Sequence, residues 1–384
     1  MAQWKKINSP SSQDLYNVQM LKNTVYAVGN SSVVLKSKDT GKSWQKLSLP
    51  TLYNLRALYF FDSLSGIVTG ENARMLKTVN GGITWTQQFV KTAAYANALY
   101  FEKQNGVAVG NNFLAISSND SGKSWTEDTT QLKFIKLRSV TIMPNGKCWA
   151  VGDSGYLLHK MVNSKRWTVS KLQTNIHLTH IVNIGNQTLI ITGSMPDTVN
   201  AGAYLNLMAI SNDSGKTWQQ NAISEMRLIN GASFSHADSG YLVGSSGLIS
   251  KCNNGFSNRG LQLTGIASAF NSISVYFNWG VIVGDGGTIL RTSNSGGKPL
   301  LSIASISFHE PLAIFPNPSN GHFMVSSNSS KIKLDVVNML GQVVLSFPAY
   351  EDSFEVNLES IGLHTLRVQT ATGEVFNCKI NIVK

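Results

Sequence analysis

The 384-residue chain has only three cysteines, Cys148, Cys252 and Cys378, each alone in a strand-like segment. An odd, scattered set supplies neither a disulfide framework nor the paired spacing of a metal-binding motif, so buried unpaired thiols are expected. No apolar run approaches the roughly 20 residues that a membrane-crossing helix needs. Sustained 3.6-residue apolar periodicity is also missing, which argues for an all-β chain. The first residues, Met1-Ala2-Gln3-Trp4-Lys5-Lys6, contain no apolar core of a secretory signal. Taken alone, that suggests the cytoplasm.

What the chain does have is a period. A strand ending in a small residue and glycine recurs seven times, from Tyr26-Ala27-Val28-Gly29 to Val281-Ile282-Val283-Gly284. The glycines at 29, 70, 110, 152, 193, 244 and 284 are spaced by 41, 40, 42, 41, 51 and 40 residues. A strand-only period near 40 predicts a β-propeller with one four-stranded blade per repeat, here seven blades over residues 1–302. Trp4-Lys5-Lys6-Ile7-Asn8 looks like an outer strand with no blade before it. It is expected to complete blade seven and so close the ring. The period then stops, and residues 303–384 show short alternating strands between turn residues, the pattern of a small Ig-like β-sandwich. A second domain also suits the length.

A second pattern, Ser/Thr-x-Asp-x-Gly-x-x-Trp, falls between the third and fourth strands of several repeats. It appears around Asp39, Asp120 and Asp213, with Asn80 in the acidic position of repeat two. The chemistry is that of a tight hairpin. The Asp or Asn accepts N–H groups of its own turn, Gly tolerates positive φ, and Trp covers the hairpin. Repeat four keeps Trp167 but has Val162 at the acidic position, and repeat seven has Pro299 in place of Trp.

These turns resemble the Asp-box, or bacterial neuraminidase repeat, over roughly residues 1–300. Within that group the chain is most similar to the photosystem II stability/assembly-factor-like propellers, through Leu55-Arg56-Ala57-Leu58-Tyr59-Phe60, Leu137-Arg138-Ser139-Val140 and Gly152-Asp153-Ser154-Gly155. A carboxylate recurring in one turn of successive blades is a fold element, so Asp39, Asn80, Asp120 and Asp213 are assigned structural roles and no catalytic residue is named.

Ligands of propellers usually sit on the face opposite these turns, around the channel. The residues brought there are Tyr16, Tyr53, Arg56, Arg74, Tyr95, Arg138 and Arg227, with Lys136, His177 and Glu225 beside them. The 51-residue interval adds an insertion over residues 194–204, ending at Tyr204, and long loops on rigid scaffolds often carry function. Tyrosines among Arg and Asn suit a sugar or an extended peptide. His177 and His180 are three apart in an extended segment and point to opposite faces, which speaks against a shared metal. No cofactor and no metal is expected.

Charge is uneven. Residues 1–302 hold 27 basic and 14 acidic residues, a net of +13, and residues 303–384 carry −2. A basic domain favours anionic glycans, lipopolysaccharide, nucleic acid or acidic proteins, or simply presents a solvated lysine surface.

The C-terminal segment contains Pro316-Asn317-Pro318-Ser319-Asn320-Gly321, then Asn338-Met339-Leu340-Gly341-Gln342-Val343-Val344, and ends in Lys379-Ile380-Asn381-Ile382-Val383-Lys384. These motifs, in order, resemble the type A C-terminal sorting domain of the type IX (Por) secretion system of Bacteroidetes. His364 stands where that family usually has Tyr, and weaker packing is expected there. The resemblance implies export across the outer membrane by the type IX machinery through residues 303–384. It also implies a secreted or surface-attached product and an N-terminal signal that Met1 to Lys6 do not show.

Two functions remain open, and a third, an assembly factor for a membrane complex as the repeat resemblance implies, is argued against by the sorting domain. One is a secreted or cell-surface, non-enzymatic module engaging a glycan or a cell-surface protein. The other is a glycoside hydrolase using two carboxylates across the channel, with Glu71, Asp153 and Asp285 as the available groups. The Arg-Ile-Pro motif of sialidases does not occur. Neither nucleic acid nor a membrane span is part of the expectation.

Overall fold

The seven glycine-ending segments are the second strands of seven antiparallel sheets in the computed structural model. The structure describes the chain apart from residues 1–3, 51, 89, 91–93, 130–133, 186, 199–202, 224–226, 237–238, 254–257, 295–300, 304–312, 316–321, 327–331, 339–341, 350–352, 371–374 and 383–384. Glu225, Pro299, part of the 194–204 insertion and the Pro316 to Gly321 motif therefore lie outside the described residues. The chain divides into two compact units, Met1–Ile303 and Ala304–Lys384.

The first unit is the propeller. Blade one shows the plan, with Leu15–Leu21, Thr24–Gly29, Val34–Ser37 and Gln45–Leu47 paired in sequence order. The chain then crosses to the inner strand of the next blade. In blade seven, Phe270–Tyr276, Trp279–Gly284 and Ile289–Thr292 take their fourth strand from the N-terminus. There Lys5 pairs with Arg291 and Ile7 with Ile289. The orphan strand thus closes the ring as its sequence predicts. Trp4 is 3% exposed, packs edge-on against Tyr241 with centroids 5.8 Å apart, and donates its indole N–H to Gln262. Blade six differs from the other blades in having five strands, because Leu301–Ile303 pairs along Asn258–Leu261.

The core lies between blades. Trp149, Val151 and Leu157 of blade four pack on Leu178, Ile181, Leu189 and Ile191 of blade five, and similar clusters join the other neighbours. The repeat glycine has a steric cause. A Cβ on Gly110 or Gly244 would fall 1.8 Å from the carbonyl oxygen of Tyr95 or Leu228, the residue that enters the inner strand. That carbonyl accepts the N–H of the residue following the glycine in all seven blades, as from Asn111 to Tyr95 at 2.9 Å and from Asp153 to Lys136 at 3.0 Å.

The Asp-box turns have the expected chemistry. Asp39 Oδ1 accepts the N–H groups of Lys42 and Ser43 at 3.0 Å, and Asp39 Oδ2 accepts the Ser43 hydroxyl at 2.6 Å. Ser37 Oγ accepts the Gly41 N–H at 2.8 Å. Burial pushes the Asp39 carboxyl up, but these hydrogen bonds outweigh it and hold the pKa at about 2. Asp120 and Asp213 repeat the pattern. Asn80 performs it without charge, its amide donating to Thr84 Oγ1 at 2.8 Å. Blade seven keeps half of it, with Thr292 donating to Asn294 at 2.9 Å.

A cation stitches each intact turn to the preceding blade. Arg291 donates to Thr40 O, Lys36 to Gly81 O, Lys77 to Ser121 O and Lys147 to Ser214 O, all at 2.7–3.2 Å. Blade four has lost its box, and Lys160 occupies the place of the box serine. Its ammonium turns back to blade three and reaches Asp128 and Ser117.

The second unit has a three-stranded and a four-stranded sheet. The first orders Ala313–Phe315, His322–Ser326 and Ser353–Asn357; the second orders Val343–Ala349, Ile332–Val337, Gly362–Thr370 and Val375–Ile382. Leu334, Val336, Val356 and Leu366 are buried. His364 corrects the expectation of weak packing: it is 3% exposed, with Nε2 2.8 Å from Ser360 Oγ and Nδ1 3.0 Å from Gly362 O.

Candidate functional site: the channel mouth

Each inner strand of the propeller carries a β-bulge one residue after its start. A bulge re-aims a side chain and breaks local pairing. Here the bulged residues are Tyr16, Arg56, Asn97, Arg138, Thr179, Asn230 and Asn271, and all seven line one polar cavity of about 340 Å³. Lys136 and His180 line it as well.

Several of these side chains hold the ring together. Asn97 donates to Leu137 O at 2.9 Å, Asn230 to Phe270 O at 3.1 Å and Asn271 to Leu15 O at 3.0 Å, each reaching the next blade. Arg138 is ion-paired with Asp153. His177 Nδ1 accepts the Ser154 N–H at 3.1 Å and lies 3.7 Å from Asp153 Oδ1.

The remaining cations are differently placed. Arg56 stacks on Tyr16, 3.8 Å from the ring centroid, which covers one ring face without neutralising the guanidinium. The Lys136 side chain makes no hydrogen bond or ion pair among the described residues, and its pKa is lowered by burial and then by Arg138, against the pull of Asp153 and with Arg56 adding to the effect. Burial, then Arg138, holds His180 down at about 4, so it is neutral. The mouth therefore gathers Arg56, Lys136 and Arg138 against one carboxylate partner, a surplus suited to an anionic group.

Of the other sequence candidates, Tyr53 lies under Arg74 at 4.2 Å, and burial, then the neighbouring Glu71 carboxylate, raises the Tyr95 pKa. These pairs, Arg227 and Tyr204 are not among the residues lining the cavity. The insertion is partly an extension of the blade-five hairpin, where Ser194 pairs with Asn206, Met195 with Leu205 and Pro196 with Tyr204. Glu71 accepts the Asn54 N–H at 3.2 Å, Asp285 accepts from Asn271 at 2.8 Å and Asp153 is paired to Arg138, so each of the three carboxylates has a polar partner in its own blade.

Asn97, Thr179, Asn230 and Asn271 join the site without having been candidates from sequence. Their signal is positional: every bulge residue lies 13 or 14 residues before its repeat glycine.

Fold and cavity define an Asp-box β-propeller with a polar, cation-bearing channel mouth, followed by a second all-β unit. Residues 42–134 match the family described as photosynthesis system II assembly factor YCF48, and residues 313–382 match the secretion system C-terminal sorting domain. A curated relative, the photosystem II assembly lipoprotein Ycf48 of Synechococcus sp. (strain CC9902), is 23% identical over 159 residues, 37% of this chain. The match spans 47% of that relative, about half its length. Among solved structures, YCF48 bound to D1 peptide superposes with a TM-score of 0.62 at 19% identity, over 77% of this chain and 98% of that one. YCF48 from Cyanidioschyzon merolae gives 0.61 at 15% identity, over 76% and 98%. The chain thus resembles the Ycf48-like propellers and carries a sorting-domain segment, which implies a secreted or outer-surface location. Among the described residues no helix is long and apolar enough to cross a membrane.

Proposed function

We propose that this chain is an exported, non-enzymatic binding module whose propeller holds an acidic or carboxylate-bearing polypeptide segment at the channel mouth. The observation that carries it is the convergence of Arg56, Lys136 and Arg138 on one polar cavity, with Lys136 unpaired among the described residues. Guanidinium forks suit carboxylates in particular. A similarly folded propeller is described in complex with a peptide, which supports a protein segment over a glycan. Tyrosine stacking, the main argument for a sugar, is weakened because guanidinium groups cover one face of both Tyr16 and Tyr53. A non-enzymatic role is further supported by the assembly-factor descriptions of the similar proteins, and Glu71, Asp153 and Asp285 each have a local polar partner.

The C-terminal unit, taken with residues 303–384 as its limits, is assigned to export by the type IX machinery, and its two sheets to an Ig-like sandwich. The match to a sorting domain supports this. A library of displayed peptides, panned on the full chain with and without salt, tests the peptide reading. Selection of acidic peptides, lost in Arg56→Ala and Lys136→Ala variants, supports it; enrichment indifferent to both substitutions overturns it.

A further inference from the structure

The face opposite the channel mouth carries a different surface. First-to-second and third-to-fourth turns share that end of each blade and touch there, as where Gly81 N–H meets Leu64 O at 2.7 Å. In blades one, three and five the residue after the box glycine is an exposed lysine, Lys42, Lys123 or Lys216. Its backbone N–H is fixed by the box carboxylate at 2.8–3.0 Å. These lysines thus start from hydrogen-bonded turns, and the box carboxylates beside them accept turn hydrogen bonds.

Blade two breaks the pattern. Its turn reads Thr78-Val79-Asn80-Gly81-Gly82-Ile83-Thr84-Trp85, so Val79 and Ile83 stand where blade one has Lys38 and Lys42. Both are well exposed, at 67% and 78%, and Leu64 of the adjoining hairpin is 54% exposed. The backbone of this turn is held on either side of Ile83, Gly82 N–H bonding to Thr78 Oγ1 at 2.9 Å and Thr84 N–H to Asn80 Oδ1 at 2.9 Å. Lys36 and Lys77 tie the three consecutive turns together through Gly81 O and Ser121 O. The three neighbouring turns form a strip: lysines of blade one, an apolar tip on blade two beside Asp62, whose carboxylate accepts the Leu64 and Ser65 N–H groups, and a lysine of blade three.

We infer that this strip docks the propeller on an anionic lipid surface, with Leu64, Val79 and Ile83 entering the headgroup region between Lys38, Lys42 and Lys123. Charge complementarity selects the anionic partner, because lysines near such a surface each add attraction. The apolar tip selects a lipid bilayer over a soluble polyanion, which offers apolar side chains nothing to enter. The channel mouth would then face away from the lipid, free for its own ligand.

The test is sedimentation of the full chain with vesicles of phosphatidylcholine and phosphatidylglycerol, against phosphatidylcholine alone and against dextran sulfate beads. The informative variant is Val79→Asn/Ile83→Lys, which gives blade two the residues blade three carries at Asn119 and Lys123. It adds positive charge while removing apolar surface. Docking on lipid predicts salt-sensitive binding to anionic vesicles that falls at least about tenfold in this variant. It should also fall in Lys42→Ser/Lys123→Ser, with the thermal melts of both variants unchanged. Vesicle binding retained or strengthened by Val79→Asn/Ile83→Lys overturns the inference. So does binding to dextran sulfate alone, or to neither.

Discussion

Lys160 Nζ lies 3.0 Å from Asp128 Oδ2 with both side chains withdrawn from water, joining blade four to blade three at the one junction where blade four has no Asp-box. Ser117 and Trp167 complete the cluster, Ser117 accepting from Lys160 at 2.7 Å and Trp167 donating to Asp128 at 3.0 Å. The pair does here what a lysine-to-carbonyl stitch does at the intact boxes. Removing one partner strands the other charge in a dry site. Lys160→Met or Asp128→Leu alone should therefore cost about 3–5 kcal/mol in urea unfolding, and the double variant considerably less than the sum.

Trp4 tests the ring closure. Its side chain is buried among Tyr241, Val243 and Phe270, so Trp4→Ala should destabilise by about 3–5 kcal/mol. Hydrogen exchange should show the loss first in blade seven, whose outer strand Lys5–Ile7 would then be poorly anchored. Uniform loss of protection across all blades would contradict a local closure.

Acid should loosen the Asp-boxes in a defined window. Asp39 titrates at about 2 in the fold against an ordinary 3.8. A depressed carboxyl contributes stability above its unfolded value and loses it as pH falls through the folded one. Asp120 and Asp213 shift in the same direction. Replacing all three with Asn, as at Asn80, should flatten the pH dependence of stability between 3.8 and 2, measured by denaturant midpoints across that range.

Cys148 should be inert in the native protein. Burial pushes its thiol up to about 12, leaving almost no thiolate near neutral pH. Alkylation followed by peptide mapping should label Cys148 only after denaturant is added.

Gly215 separates steric need from turn preference. Its φ is +84°, and an added Cβ would meet Trp149 Cζ2 at 2.2 Å. Gly215→Ala should cost about 1–3 kcal/mol, read from the shift in denaturant midpoint.

Much of this molecule was legible along the chain. The repeat glycines announce the blades because a Cβ there would sit 1.8–3.0 Å from a carbonyl oxygen in every copy, so the constraint is local and recurs in sequence. The Asp-box chemistry was legible for the same reason, its partners being separated by four residues or fewer. Arg56 and Arg138 could be named because they sit beside recognisable strand starts. Asn97, Asn230 and Asn271 could not, since an asparagine after a strand start looks like any loop residue until the bulge turns it inward. Tyr204 reads as a loop residue in sequence because extra length says nothing about whether inserted residues pair with each other, as Pro196 and Tyr204 do.

By itself the sequence determined the blade count, the turn chemistry and the closing strand, each of which rests on contacts within a repeat or on a repeat left incomplete. Tertiary structure decided what no single repeat contains. Bringing seven inner strands around one axis set Arg56, Lys136 and Arg138 at a shared cavity. Packing blade three against four paired Lys160 with Asp128, 32 residues away. Both arise from side chains of different blades meeting, and the distance between blades is a property of the closed ring.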